Sequence, residues 1–275
     1  MPGRWSFLVM SDVGAIVPAA GVGSRIGGRQ NKLFLPLAGE PLLAHTLRAL
    51  QASPALRWIV VVARPGDQAR VHGLLRRHRI SKALPPLPGG ASRAESVARG
   101  FAVLPAGAAW VLVHDGARPC VSPALISRAV REGRRRGAIA CGMPASLTVK
   151  AADEAGWVRV TLDRDRLWFV QTPQVFRRDW FAVALEHVGL NNGHAVPLLE
   201  QFPDDAALVE AAGFPVRMIP GEPLNLKVTT REDLLLAEAI LRARTGGPVA
   251  QCFLATPPLG HSATRQATPP LKRMS

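Results

Sequence analysis

AIVPAAGVGSRIGGRQNKLFLPL, residues 15–37, is an apolar run followed by glycines interleaved with cations, then a second apolar run. A strand that ends in a glycine-rich turn suits an anion, because glycine lets the backbone approach a ligand and successive N–H groups then face it. Two familiar phosphate loops fail here. The dinucleotide fingerprint G-x-G-x-x-G is broken by Ile26, which stands where a third glycine should follow Gly21 and Gly23. Gly23 and Gly28 have the spacing of a P-loop, but Arg29 and Gln30 occupy the positions of its lysine and its hydroxyl. What remains is a strand, a glycine loop and separate cations, Arg25 and Lys32, able to reach phosphates from different directions. A solvated turn with incidental charges is the competing reading, so the rest of the chain has to decide.

Working outward, apolar β-rich runs recur at 15–17, 58–63, 110–114 and 138–142, separated by segments long enough for one helix each. That alternation predicts a parallel sheet with crossover helices. Leu43, Leu47 and Leu50 after Pro41 form one stripe of a helix starting near Glu40. Ser122-Pro123 reads as an N-cap and first-turn proline, and Thr230 to Asp233 as a capping box with Asp for Glu. Between Met143 and Val170, two β-rich halves flank an acidic, glycine-containing turn, which predicts a hairpin projecting from the sheet. The fold class is therefore α/β: a three-layer, Rossmann-like, mostly parallel sheet with a projecting β-hairpin arm at about 143–168. Residues 1–12 read as an N-terminal extension and 13–244 as one domain. Residues 245–275, with five prolines and no acids, read as a disordered tail.

Composition narrows the partners. A net charge of +14 on 275 residues favours anions, whether nucleic acid, a membrane surface or phosphorylated small molecules. The basic runs at 64–82 and 128–136 read as solvated helix faces. With no tyrosine and few aromatics among the arginines, a stacking platform for nucleic acid is hard to assemble. Cys120, Cys141 and Cys252 have no zinc or redox spacing and predict reduced thiols, and no apolar span is long enough for a signal core or membrane helix. The expected location is the cytoplasm, with neither nucleic acid nor membrane as partner. His45, inside a helical stripe, reads as structural.

In an open parallel sheet, ligands bind beyond the carboxyl ends of the strands, and the unusual residues gather there. HDGARP at 114–119 places Asp115 and Arg118 on a turn before a helix. GGASRAES lies at 89–96, DRDRLWFVQTPQVF at 163–176, and PLNLKVTTREDL at 223–234 sets Lys227 among apolar and hydroxyl residues. With AAGVGSR at 19–25, LAGEPLLAHTL at 37–47, RAESV at 93–97, VHDGARP at 113–119, QTPQVF at 171–176 and NLKVT at 225–229 in one order, the chain resembles the 2-C-methyl-D-erythritol 4-phosphate cytidylyltransferases over about residues 13–244.

That resemblance implies a nucleotidyltransferase fold and a reaction in non-mevalonate isoprenoid synthesis. The phosphate of methylerythritol phosphate attacks the α-phosphorus of CTP, and pyrophosphate leaves, with Mg²⁺ or another divalent cation present. It implies that Arg25 and Lys32 bind the CTP phosphates, while Arg164 and Lys227 hold the attacking phosphate. Ala19, Ala20, Gly21, Gly23, Gly90 and Ser96 would recognise cytidine, and Asp115, Arg118 and Thr148 would line the polyol side. It also implies a homodimer that exchanges arms, so that Thr148 and Arg164 serve the neighbour's site. No protein ligand for the metal is assigned. The chain departs from the family pattern at Asn31-Lys32-Leu33-Phe34, where Pro-Lys-Gln-Tyr is usual, at Leu147 and at Ala91, where acids are common. Ribitol 5-phosphate cytidylyltransferase is the nearest rival reading, and a basic nucleic-acid-binding protein the rival from another class.

Overall fold

β1 (Val13–Ala19) turns Val13, Ala15 and Val17 toward one side and Ile16 toward the other, all fully buried, which requires cover on both faces. The structure, a computed structural model, describes residues 11–21, 31–189 and 202–244. The same alternation recurs in β4 (Trp58–Ala63), where Ile59 and Val61 oppose Val60 and Val62. In β6 (Trp110–Val113), Leu112 opposes Val111 and Val113. With β5 (Leu87–Pro88), β7 (Ala138–Pro144), β10 (Trp168–Arg177) and β11 (Arg217–Pro220) these make a seven-stranded sheet in the order β11-β7-β10-β6-β1-β4-β5.

Helices cover both faces, giving the expected three layers. On one side lie α1 (Leu42–Ala52), α2 (Gln68–Arg77), α4 (Pro123–Arg136) and α7 (Arg231–Arg244), contributing Leu43, Leu47, Val71, Leu125 and Ala237. On the other lie α3 (Arg93–Ala102), α5 (Arg178–His187) and α6 (Asp205–Ala211), contributing Val97, Phe101, Phe181 and Leu208. Phe176 of β10 stacks on Phe181 at 5.1 Å, and Phe101 meets Phe181 edge-on at 5.5 Å. Each fully buried leucine or phenylalanine contributes about 1.5–3 kcal/mol, so this two-sided burial is the main force holding the layers together.

The caps follow the sequence. Ser122 Oγ accepts from Leu125 N at 2.9 Å, with Pro123 in the first turn, and Gly137 ends α4 at φ +88°. Asp233 Oδ2 accepts from Thr230 N at 2.9 Å while Thr230 Oγ1 accepts from Asp233 N at 3.3 Å, a reciprocal capping box. One start moves: α1 begins at Leu42, because Pro41 is extended and pairs with its neighbour in β3 (Glu40–Pro41) against β2 (Pro36–Leu37). His45 is structural as expected, donating from Nε2 to the Leu37 carbonyl at 2.7 Å, and burial lowers its pKa.

β10 is the departure from the parallel pattern. It runs antiparallel to both β6 and β7, because the chain leaves β7 along the arm and returns beside it without a crossover helix. Its register shifts between Gln171 and Gln174, which puts the QTPQ motif at an irregularity. The arm itself is the antiparallel pair β8 (Val149–Ala152) and β9 (Val158–Leu162), narrower than the expected 143–168 because the ends of that span belong to β7 and β10. Its turn is held by Asp153 Oδ1 accepting from Trp157 N, with Gly156 at φ +86°. The expectations for residues 1–10 and 245–275 lie outside the described residues.

Candidate active site

A pocket of about 400 Å³ opens where β1 and β6 end, bordered by Ala19, Ala20, Gly21, Lys32, Gly90, Ser96, Asp115 and Lys227. Eight of the sequence-predicted site residues thus come together at the strand ends where an α/β sheet binds ligands. Thr229 and Arg93 border it as well. Arg25 and Gly23 lie outside the described residues.

The charge arrangement centres on Asp115, which is 6 % exposed. Its Oδ2 lies 2.8 Å from Lys227 Nζ and its Oδ1 3.1 Å from Arg93 Nη2, with Arg118 Nε at 3.8 Å. Burial alone would raise this carboxyl, but Arg93, Lys227 and Arg118 outweigh it and hold Asp115 well below the usual carboxylate range. Arg93 Nη2 also reaches Asp205 Oδ2 at 2.8 Å, and Asp205 is fully buried. Burial lowers Arg93, yet the two carboxylates bring it out above its ordinary value. Lys32 Nζ donates to the Val228 carbonyl at 2.8 Å, next to Lys227, which ties the turn at Lys32 to the segment from Lys227 to Thr229 at the pocket.

The turn that presents Asp115 is fixed from below. Thr172 Oγ1 accepts from Asp115 N at 3.1 Å and lies 3.0 Å from His114 Nδ1. His114 Nε2 meets the Arg118 carbonyl at 3.4 Å; a carbonyl can only accept, so Nε2 carries the proton and the threonine donates to Nδ1. Burial, with Arg118 adding to it, pushes the His114 pKa down to about 4, so this ring stays neutral. Arg118, expected to line the polyol side, lies beneath the pocket instead: it is 7 % exposed and donates to the Asn225 carbonyl at 2.9 Å. Asn225 in turn donates to the Thr172 carbonyl at 2.8 Å, tying the Lys227 segment to β10.

The Gly89–Ser96 wall of the pocket is built by close approach. A Cβ on Gly89 would strike Ala20, and one on Gly90 would strike the Glu95 carboxyl. At Gly89 the neighbour is a methyl that cannot swing away, so glycine lets the loop pass there, whereas at Gly90 the Glu95 carboxyl could move aside. Ser96 Oγ accepts from Gly90 N at 3.1 Å and donates to the Ser92 carbonyl at 2.9 Å, while Glu95 accepts from Ala91 N at 2.7 Å. These bonds hold the loop's backbone in place against the start of α3.

Thr148 and Arg164 do not border the pocket of their own chain. Both are exposed at the base of the arm, and Arg164 Nη1 donates to the Ser146 carbonyl at 3.0 Å. Sequence reasoning missed Arg93, although it stands in the RAESV motif, and it missed Asp205 and Thr172, whose roles are set by contacts across the fold. The basic runs are largely exposed as expected, with Arg70 lying 4.0 Å above the Phe34 ring. Cys120 and Cys141 are free and buried, and burial raises their thiols to about 11 and about 12.

Among the described residues, no group of three or more histidines, cysteines, aspartates or glutamates could hold a metal ion, and no helix is long and apolar enough to cross a membrane. The one carboxylate bordering the pocket, Asp115, is already engaged by cations. The described residues therefore do not fit a protein cage for Mg²⁺.

The family model for 2-C-methyl-D-erythritol 4-phosphate cytidylyltransferase matches residues 13–243. A protein of that name from Desulforamulus reducens is 40% identical over 236 residues, covering 86% of this chain and 98% of its own. Another from Pelotomaculum thermopropionicum is 41% identical over 240 residues, covering 86% and 97%. Among solved structures, the enzyme of that name from Thermus thermophilus superposes with a TM-score of 0.65 at 32% identity, covering 84% of this chain and 98% of its own. The 4-diphosphocytidyl-2C-methyl-D-erythritol synthase from Anaerococcus prevotii superposes with a TM-score of 0.71 at 27% identity, covering 84% and 99%.

Proposed function

The chain belongs to the 2-C-methyl-D-erythritol 4-phosphate cytidylyltransferase family, and from that premise we propose that it transfers CMP from CTP to 2-C-methyl-D-erythritol 4-phosphate, releasing pyrophosphate, in isoprenoid precursor synthesis. The observation that carries this reading is two cations converging on one pocket at the strand ends, Lys32 held on the Val228 carbonyl and Lys227 on Asp115, with Gly90 and Ser96 also bordering it. The names of the relatives favour methylerythritol phosphate over ribitol 5-phosphate as acceptor.

In this reading one oxygen of the acceptor phosphate forms a bond to the α-phosphorus of CTP as the bond to pyrophosphate breaks. A phosphate monoester has its second pKa near about 6, so the nucleophile is ionised at neutral pH and needs no general base. The work left to the protein is positioning two polyanions and neutralising charge around phosphorus. Lys32, with Arg25, holds the CTP phosphates; Lys227, with Arg164, holds the attacking phosphate. Asp115 accepts a polyol hydroxyl and keeps Lys227 aimed. Mg²⁺ is proposed to arrive with the CTP phosphates rather than on a protein cage. Cytoplasmic location agrees with the two free buried thiols.

We further propose a homodimer that exchanges arms. Trp157 is 74% exposed, Val158, Val160 and Leu162 are exposed on β9, and an isolated two-stranded hairpin is marginal in water. A second subunit would cover these residues and bring Thr148 and Arg164 to a pocket that their own chain does not offer them. The direct test of the activity is mass-spectrometric detection of the CDP-polyol product from CTP and methylerythritol phosphate; its absence with folded enzyme overturns the reading.

A further inference from the structure

Asn31 is 4 % exposed, and both hydrogens of its amide and one lone pair of its oxygen are engaged. Its Oδ1 accepts from Leu33 N at 3.1 Å, capping the short 3-10 turn Lys32–Phe34. Its Nδ2 donates to Asp67 Oδ2 at 3.0 Å and to the Ala19 carbonyl at 3.4 Å. One acceptor and two donors thus fix the amide without freedom to flip. Ala19 is the last residue of β1, and Asp67 sits on the turn that leads from β4 into α2. Asp67 heads α2 without capping it by its side chain, so its carboxylate is committed to Asn31 rather than to its own helix. The residue after Asn31 is Lys32, whose Nζ crosses the pocket to the Val228 carbonyl at 2.8 Å.

We infer that Asn31 and Asp67 are positioning residues for Lys32: the Asp67 carboxylate holds the Asn31 amide, and that amide fixes the turn from which the Lys32 ammonium is aimed at the nucleotide phosphates. A charge-assisted bond to a buried amide is about twice as strong as a neutral one, and a preorganised cation loses its effect when its anchor drifts. The inference rests on the proposed role of Lys32 at CTP, so its test must separate the two.

The experiment is a double-mutant cycle on the full-length protein, with Asp67→Ala, Lys32→Ala and the pair. It is read by calorimetric CTP affinity and by turnover with methylerythritol phosphate. Asp67→Ala is expected to weaken CTP binding and to lower kcat by about tenfold each, while KM for the acceptor stays within about twofold. In the Lys32→Ala background both losses disappear, because the pair acts through that side chain. Asp67→Asn keeps an acceptor for Asn31 and stays within about twofold of wild type. Equal losses in both backgrounds, or none in either, overturn the inference. Asn31→Ala, followed by thermal unfolding, checks that a loss reflects aim rather than collapse; a matching loss at unchanged Tm supports it. Wild type that binds CTP but makes no product refutes the acceptor assignment while the binding cycle still judges the pair. Wild type that binds no CTP overturns both.

Discussion

Lys227 Nζ stands 2.8 Å from Asp115 Oδ2, joining a half-exposed cation on the segment before α7 to a buried carboxylate on the turn after β6. Both residues border the pocket, so the pair fixes the charge presented there, which the proposed reading assigns to the acceptor phosphate. Lys227→Ala should lower kcat/KM for methylerythritol phosphate by about 10² to 10³, the scale for one preorganised charge at a developing anion. CTP affinity should stay within about threefold. Steady-state kinetics beside CTP calorimetry checks this, and an equal loss on both substrates would move Lys227 to the nucleotide side.

Arg93 bridges Asp115 and Asp205 from one guanidinium. Arg93→Ala leaves two buried carboxylates without their shared cation, and breaking such a pair costs about 3–5 kcal/mol. Urea unfolding at pH 7 should show that loss. Arg93→Lys keeps the charge but cannot span both carboxylates, and should recover only part of it.

His114 gives the stability a pH dependence of definite sign. Its folded pKa is depressed to about 4 by burial, against about 6.5 in the unfolded chain, so the unfolded state binds the extra proton first. Its contribution is complete above about pH 6.5 and is lost as pH falls toward 4, a change of about 3 kcal/mol. His45, also lowered, acts in the same direction. Urea midpoints across this window should fall for wild type and fall less for His114→Gln. Equal slopes would contradict the neutral, Thr172-bonded ring.

Much of this was legible in the chain. The buried β1 pattern, the Ser122-Pro123 start of α4 and the Thr230–Asp233 capping box depend on neighbours a few residues apart, and local chemistry determines them. Asp115 and Gly90 sit just past strand ends, where the architecture concentrates ligands, and Lys32 and Lys227 converge on them from the segments that follow β1 and β11. What could not be read depends on distant partners. Arg93 meets Asp205 only because α3 and α6 cover the same face, and nothing near Asp205 in sequence announces an arginine. The sequence places Arg118 on a turn before a helix and the resemblance puts it on the polyol side, but the return of β10 as an antiparallel strand buries it against Asn225.

The proposed exchange of arms is testable by mixing. Lys32→Ala and Arg164→Ala proteins, each nearly inactive, should complement after unfolding and co-refolding, since random pairing makes about half the dimers mixed with one intact site in each. Roughly a quarter of wild-type activity is then the ceiling. Activity no higher than that of the separate mutants, with mixed dimers seen by native mass spectrometry, would contradict a site shared between subunits.

The most direct test of the central claim is pyrophosphate release by the purified protein, with ATP, CTP, GTP and UTP each crossed against methylerythritol phosphate and ribitol 5-phosphate. The account predicts turnover with CTP and methylerythritol phosphate at least about tenfold above every other combination, and its loss by about 10² to 10³ in Lys32→Ala. Release that is highest with another nucleotide, or with ribitol 5-phosphate, or that survives Lys32→Ala in folded protein, would contradict it.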